Sequence, residues 1–165
     1  MQHSELYQML QDLYPGDTNR RPQMLAVGWA ADAAAITQLA AIDFNLTYAS
    51  TVREALISLR DGGVCDAVVV NSQAGFDAYV ATAALRLYTT SPIVLLYPRD
   101  YPVVPSDAVD AGADDWLPEV THPSEFAARV YARIRRHQFN QRQVRVMAPP
   151  WRGANTNLKQ LRPFS

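Results

Sequence analysis

The stretch Cys65-Asp-Ala-Val-Val-Val-Asn-Ser-Gln-Ala-Gly75 contains three consecutive valines and then an amide, Asn71. A short apolar run bounded by turn-forming residues predicts a strand that is buried on both faces of a sheet. In open α/β sheets, ligands bind outside the carboxyl ends of the strands. Asn71 ends this buried strand and is therefore a candidate functional residue.

Similar apolar runs alternate with helical patterns along the chain. The predicted strands are residues 24–28, 44–49, 67–70, 93–97 and 116–117. Three helices are predicted before the fourth strand ends: residues 30–41, a segment capped by Ser50 and ending at Gly62-Gly63, and residues 76–88. A fourth is a short piece after Pro105 that ends at Gly112. The last helix begins at Pro123, and its predicted buried stripe is Phe126, Val130 and Ile134. Five strands alternating with five helices predict an α/β fold, a doubly wound, five-stranded parallel sheet of the flavodoxin-like type.

Length and composition place limits on the class of protein. A chain of 165 residues with 48% hydrophobic and 19% charged residues fits one compact domain with short extensions. No stretch approaches the roughly 18 apolar residues of a membrane span, and no secretory signal pattern begins the chain, so we expect a cytoplasmic protein that does not enter a membrane. Cys65 is the only cysteine, which excludes an internal disulfide and a cysteine-based zinc site.

Charge is distributed unevenly along the chain. Residues 1–125 hold all sixteen acidic residues against six arginines, a net charge of −10, whereas residues 126–165 hold eight arginines and Lys159 with no acid, a net charge of +9. We expect three segments: an amphipathic helix with a linker at 1–22, the α/β domain at 23–137 and a basic linker or tail at 138–165.

Residues 24–137 resemble the receiver domain of two-component response regulators. The resemblance rests on the segment 91–96, on Ala111-Gly-Ala-Asp-Asp-Trp-Leu117 and on the arginine-rich helix that follows Pro123. The last two together are similar to the winged-helix transcription-factor branch. The resemblance implies a regulatory domain in two-component signalling that does not act as an enzyme.

The residues that carry receiver chemistry are replaced in this chain. Receivers accept a phosphoryl group on an aspartate that ends strand three, and this position is Asn71. The acidic pair that holds Mg²⁺ falls on Gly28 and Trp29, the hydroxyl position on Tyr97 and the lysine position on Glu119. The resemblance therefore implies a degenerate receiver, a pseudo-receiver with a vestigial phosphoacceptor pocket.

Elementary chemistry leads to the same expectation. An amide is not a nucleophile for acyl phosphate formation, and Mg²⁺ needs carboxylate ligands that the strand ends lack. The sequence contains no constellation of nucleophile and base and no glycine-rich phosphate loop, so we predict no catalytic residue, no metal and no cofactor.

Two interpretations of Asn71 remain open. In the first, its amide satisfies backbone groups of neighbouring loops while Trp29 and Tyr97 fill the emptied cleft. In the second, Asn71, Trp29, Tyr97 and Glu119 line an aromatic pocket for a small planar or cationic ligand, which would make the domain a ligand sensor.

The acids before the fifth strand have candidate partners in the last helix. In the branch that this chain resembles, such acids pair with arginines across a two-fold dimer interface. Asp114 and Asp115 could meet the arginine row Arg129, Arg133 and Arg136, which predicts a homodimer, or this row is a solvated helix face.

The basic tail is too short to be a domain. A winged-helix DNA-binding domain does not fit in the 28 residues from 138 to 165, so either the chain is a fragment that binds DNA through a further domain, or the tail itself binds nucleic acid or the acidic body. The favoured function is a phosphorylation-independent regulatory domain that acts through protein interaction or dimerisation in transcriptional or signalling control.

Overall fold

A computed structural model describes residues 20–30 and 33–147 as one parallel sheet with helices on both faces. The strands are β1 Gln23–Val27, β2 Asn45–Ala49, β3 Ala67–Asn71, β4 Ile93–Tyr97 and β5 Asp115–Pro118. Every pairing is parallel, and the strand order is β2-β1-β3-β4-β5. The predicted flavodoxin-like sheet is confirmed.

The helices alternate with these strands as predicted. They are α1 Ala34–Ala40, α2 Val52–Arg60, α3 Ala78–Arg86, α4 Pro105–Asp110 and α5 Pro123–Met147. The predicted amphipathic helix near the N-terminus and residues 148–165 of the predicted tail lie outside the described residues. Within the part of the chain that is described, no helix combines the length and the hydropathy that a bilayer crossing requires.

The core consists of two apolar layers, one on each face of the sheet. Val69 belongs to the layer that α1 and α5 cover, whereas Val68 and Val70 belong to the layer that α2, α3 and α4 cover. All three valines are fully buried, because successive side chains of a strand point to opposite faces and both faces carry helices. The predicted stripe of Phe126, Val130 and Ile134 is buried in the first layer.

The three helices that cover the second layer, α2, α3 and α4, each begin at a residue that favours a helix start. At α2 this residue differs from the predicted one. Thr51, not Ser50, is the N-cap of α2: its hydroxyl accepts a hydrogen bond from the Glu54 N–H, and the Glu54 carboxylate accepts one from the Ser50 N–H at 2.8 Å. Asp77 caps α3 through the N–H groups of its first turn. Pro105 occupies the first turn of α4, which is a short piece as predicted.

Helix α5 is longer than the sequence analysis predicted. It runs to Met147, so residues 138–147, which we assigned to a linker or tail, are helical. The reason is local, because no glycine or proline follows Pro123 until Pro149 and nothing in between ends the helix.

Arg86, at the end of α3, joins the turn that precedes β4 to the turn that precedes β5. Its guanidinium donates to the backbone oxygens of Thr89, Ser91 and Gly112, and to the Asp114 carboxylate at 2.6 Å. Asp114 Oδ2 also accepts the Ile93 N–H at 2.8 Å, which places this carboxylate at the start of β4. One planar group thus satisfies three carbonyls and one carboxylate.

We expect Arg86→Lys to destabilise the fold by about 2 kcal/mol or more, because an ammonium group cannot reproduce the planar fork that reaches these acceptors. Urea unfolding followed by circular dichroism measures the loss. Arg53→Lys, an exchange at an exposed position of α2, is the matched control and should change stability by less than about 0.5 kcal/mol. Equal stability of the two variants would contradict the role of Arg86.

Candidate functional site

The carboxyl ends of the strands bring Asn71 and Gly28 into direct contact. Asn71 ends β3 and Gly28 follows β1, the neighbouring strand of the sheet. The Asn71 amide nitrogen donates to the Gly28 carbonyl oxygen at 3.2 Å, and its amide oxygen accepts the Gln73 N–H at 2.9 Å. Both ends of the amide therefore form hydrogen bonds with backbone groups of neighbouring loops, as the first interpretation of Asn71 expected.

At Gly28 the loop that follows β3 comes close to the backbone at the end of β1. Its φ of +90° is unfavourable for other residues, and a Cβ added there would lie 2.5 Å from Ala74 Cβ and 3.2 Å from Phe76 Cζ. The loop between β3 and α3 thus packs directly on the end of β1. A side chain of any kind at position 28, including a metal-binding carboxylate, would force this loop to move.

Two side chains that the sequence analysis did not name pack at the end of β1. We expected Trp29 and Tyr97 to fill the cleft, whereas the residues packed on Gly28 are Ala74 and Phe76. Trp29 packs instead on the core layer beneath α1 and α5. The sequence signal for this close packing was Gly28 itself, since a glycine at a strand end marks a close approach of another segment.

Tyr97 and Glu119 meet at the other side of the same sheet edge. The Glu119 N–H donates to the Tyr97 carbonyl oxygen at 2.8 Å, while the Glu119 side chain is exposed. The residues that we predicted for the phosphoacceptor pocket thus form two hydrogen-bonded pairs, Asn71 with Gly28 through a side chain and Tyr97 with Glu119 through the backbone. Among residues 20–30 and 33–147, no three His, Cys, Asp or Glu side chains are placed to hold a metal ion.

The two acids before and within β5 have partners inside the same chain. Asp115 is 4% exposed. It accepts hydrogen bonds from Arg129, the shortest at 2.7 Å, and from Arg133 at 3.2 Å. Asp114 binds Arg86. The acids that we predicted to pair across a dimer interface therefore pair with arginines of the same chain. Arg136, the third member of the arginine row, is exposed, as is Arg129.

A basic groove lies between the start of β5 and α5. It has a volume of about 550 Å³ and is lined by four arginines, Asp115, Ala132 and Phe139. Arg129 and Arg133 are partly neutralised by Asp115, whereas Arg135 and Arg136 are exposed. The groove therefore presents an excess of positive charge beside one exposed aromatic ring.

Comparison with known proteins relates this architecture to solved structures. No protein-family model matches the sequence, and no curated protein matches it. The N-terminal domain of a response regulator/sensory box/GGDEF protein from Carboxydothermus hydrogenoformans is 18% identical with a TM-score of 0.61, covering 72% of this chain and 98% of its own. A putative response regulator from Chloroflexus aurantiacus is 24% identical with a TM-score of 0.58, covering 69% and 98%.

The receiver domain of the TMAO respiratory system response regulator is 17% identical with a TM-score of 0.56, covering 70% of this chain and 98% of its own. The fold is that of a receiver domain. At these identities the likeness concerns the backbone, and the chemistry depends on the residues at the strand ends.

We expect Asn71→Asp to lower the free energy of unfolding by about 1–3 kcal/mol at neutral pH, because the Gly28 carbonyl loses its donor and faces a carboxylate. A protonated carboxyl can donate to this carbonyl, so folding should favour the protonated form and raise the pKa of the introduced side chain. The deficit should therefore shrink as the pH falls towards 4 and grow as it rises, roughly over the carboxyl titration range. Thermal unfolding at several pH values measures this, and a deficit independent of pH would contradict the contact.

Proposed function

We propose that this chain is a receiver-like regulatory domain that works without phosphorylation, through interaction with a second copy of itself. The observation that carries the proposal is the packing at the ends of β1 and β3, here called the closed cleft: Asn71 bonds to Gly28, and Ala74 and Phe76 lie against Gly28. There an amide replaces the nucleophile, and Gly28, locked against Ala74 and Phe76, leaves no room for a metal-binding side chain. Such a domain retains the scaffold that positions interaction surfaces but lacks the groups that phosphoryl transfer uses.

The closed cleft also weighs against the ligand-sensing alternative. An aromatic pocket needs Trp29 and Tyr97 to face an open space beside Asn71. Instead, Trp29 contributes to the core layer, and the loop that follows Asn71 lies against Gly28. These contacts support interaction surfaces, not a ligand pocket, as the functional part of the domain.

We expect no phosphorylation when the protein is incubated with acetyl phosphate and Mg²⁺, because a neutral amide offers neither the nucleophile nor the charge that holds the metal. Intact-mass measurement reads the result. The Asn71→Asp variant should also stay unmodified, since restoring one carboxylate does not restore the acids at Gly28 and Trp29. A phosphoryl adduct on a strand-end residue of the unmodified protein would refute the proposal.

The surface that we propose for self-association is the edge formed by α4, β5 and α5. Among residues 20–30 and 33–147, β5 is the last strand of the sheet, and its outer side pairs with no strand. Helix α4 exposes Asp107 and Asp110 together with Val104 and Val109, which are 50% and 58% exposed. Helix α5 presents Arg136 beside the same strand.

This edge is complementary to itself. In a two-fold dimer the acidic, apolar helix of one copy faces the basic helix of the other, so each contact occurs twice. Apolar burial would supply most of the affinity, because exposed ion pairs contribute only about 0–1 kcal/mol each, and the charges would set the register. The intramolecular pairs of Asp115 make Arg133 a poor test residue, since its removal leaves a buried carboxylate with fewer partners.

We expect Val109→Asp to weaken the dimer strongly and Arg136→Glu to weaken it mainly at low salt, where ionic contacts are screened least. Sedimentation velocity across a concentration series measures both effects. Arg53→Glu, which introduces the same charge change on α2, is the control and should leave association unchanged. A protein that stays monomeric at high concentration, or dimers of equal affinity in all variants, would refute this surface while leaving the phosphorylation result intact.

A further inference from the structure

Helix α5 carries two rows of charged residues on different sides. The inner row, Arg129, Arg133 and Arg136, lies beside β5. The outer row consists of Arg135, Phe139 and Arg142, also at i, i+4 and i+7. With 3.6 residues per turn, the outer row lies roughly 120° from the inner row and roughly 150° from the buried stripe of Phe126, Val130 and Ile134. The outer row is exposed to solvent, and its members Arg135 and Phe139 also line the edge of the basic groove beside β5.

The charge of the outer row has no compensation within the helix. From residue 126 to residue 147 the chain contains six arginines and no acid. Positions three and four residues away from Arg135 and Arg142 hold no Asp or Glu, so no helical ion pair offsets either charge. The helix dipole favours cations in the last turn only, and Arg135 lies twelve residues before the end of α5. In a chain whose first 125 residues are strongly acidic, this arrangement calls for an anionic partner.

Phe139 indicates which kind of anion fits. Its side chain is 59% exposed between the two arginines, and it lines the basic groove with Arg135. Two arginines seven residues apart are separated by roughly 10 Å along the axis, about the span of three stacked nucleotides. Arginines can bind the phosphates on either side of a base that stacks on the ring between them.

An acidic protein fits this face less well. Stable protein interfaces bury at least about 1,000 Å² around an apolar core. Between residues 123 and 144, where the side chains of α5 are described, its outer side offers one large apolar side chain, Phe139, and otherwise the small Ala128 and Ala132 among the arginines. A single-stranded nucleic acid needs no apolar core, because phosphate contacts and stacking supply the affinity.

We infer that the outer row of α5 is a binding site for single-stranded nucleic acid, with Arg135 and Arg142 on the phosphates and Phe139 under a base. This inference does not rest on the proposed dimer, because it uses Arg135, Phe139 and Arg142 and none of the residues that the dimer test changes.

The test is fluorescence anisotropy of the whole chain with labelled single-stranded RNA and DNA of about 20 nucleotides, between about 50 and 200 mM salt. The Arg135→Ala, Arg142→Ala variant loses two phosphate contacts, so the slope of log affinity against log salt should shrink by about 1.4, with affinity roughly 10- to 30-fold weaker near 0.1 M. Phe139→Ala should bind roughly 5- to 100-fold more weakly with an unchanged slope, and Phe139→Trp should retain affinity.

Two controls separate this site from general charge. Arg53→Ala with Arg99→Ala removes two exposed arginines outside α5 and should have little effect. The triple Ala variant at Arg152, Lys159 and Arg162 removes charge from the C-terminal segment and should leave the Phe139 dependence unchanged. Circular dichroism verifies that every variant is folded.

The inference is wrong if the outer-row variants bind like the unmodified protein, or if only the C-terminal triple variant loses binding. Equal affinity for duplex DNA without dependence on Phe139 would also overturn it, since a paired base cannot stack on the ring. Binding of an acidic polypeptide in preference to nucleic acid would assign the face to a protein partner instead.

Discussion

Burial of the central strands on both faces is the constraint that shapes the rest of this molecule. Val68, Val69 and Val70 are all inaccessible to solvent, so β3 has no room for a polar group before its last residue. Polar chemistry is therefore confined to the strand ends, where loops supply hydrogen-bond partners. In this chain the loop after β3 uses that position for closure, because the Asn71 amide and the packing of Ala74 and Phe76 on Gly28 join the ends of β1 and β3.

At the β5 edge of the sheet, buried polar groups are likewise paired. The buried Asp115 needs cations to offset its loss of hydration, and α5 provides two arginines for it. Arg86 and Asp114 perform the matching role at the turns that precede β4 and β5. The two pairs of Asp115 join α5 to β5, whereas the exposed Arg135 and Arg142 have no acidic residue three or four positions away on the helix.

The contacts at the strand ends and the basic face of α5 bear on how the proposed function would work. A domain that works without phosphorylation, as we propose, would signal through what binds its surfaces, and binding shifts an equilibrium only by differential affinity. Arg135 and Phe139 line the same basic groove as Arg136, so a partner bound at one part of α5 would affect what can bind at the other.

Much of the fold could be predicted from the sequence. Apolar runs bounded by turn signals identified the five strands and their alternation with helices, because strand burial depends mainly on local pattern. The prediction that the domain accepts no phosphoryl group also rests on residue types alone, since Asn71 cannot act as a carboxylate whatever surrounds it.

Tertiary structure decided which side chains fill the cleft and which partners the charges take. Ala74 and Phe76 carry no functional signal in the sequence, and they reach Gly28 only because the loop folds back over β1. Asp114 and Asp115 are adjacent in sequence, yet one binds Arg86 and the other binds Arg129 and Arg133, because successive side chains at the start of β5 diverge. Sequence spacing identified the charged groups, but contacts between residues distant in the chain depend on packing, which local patterns do not encode.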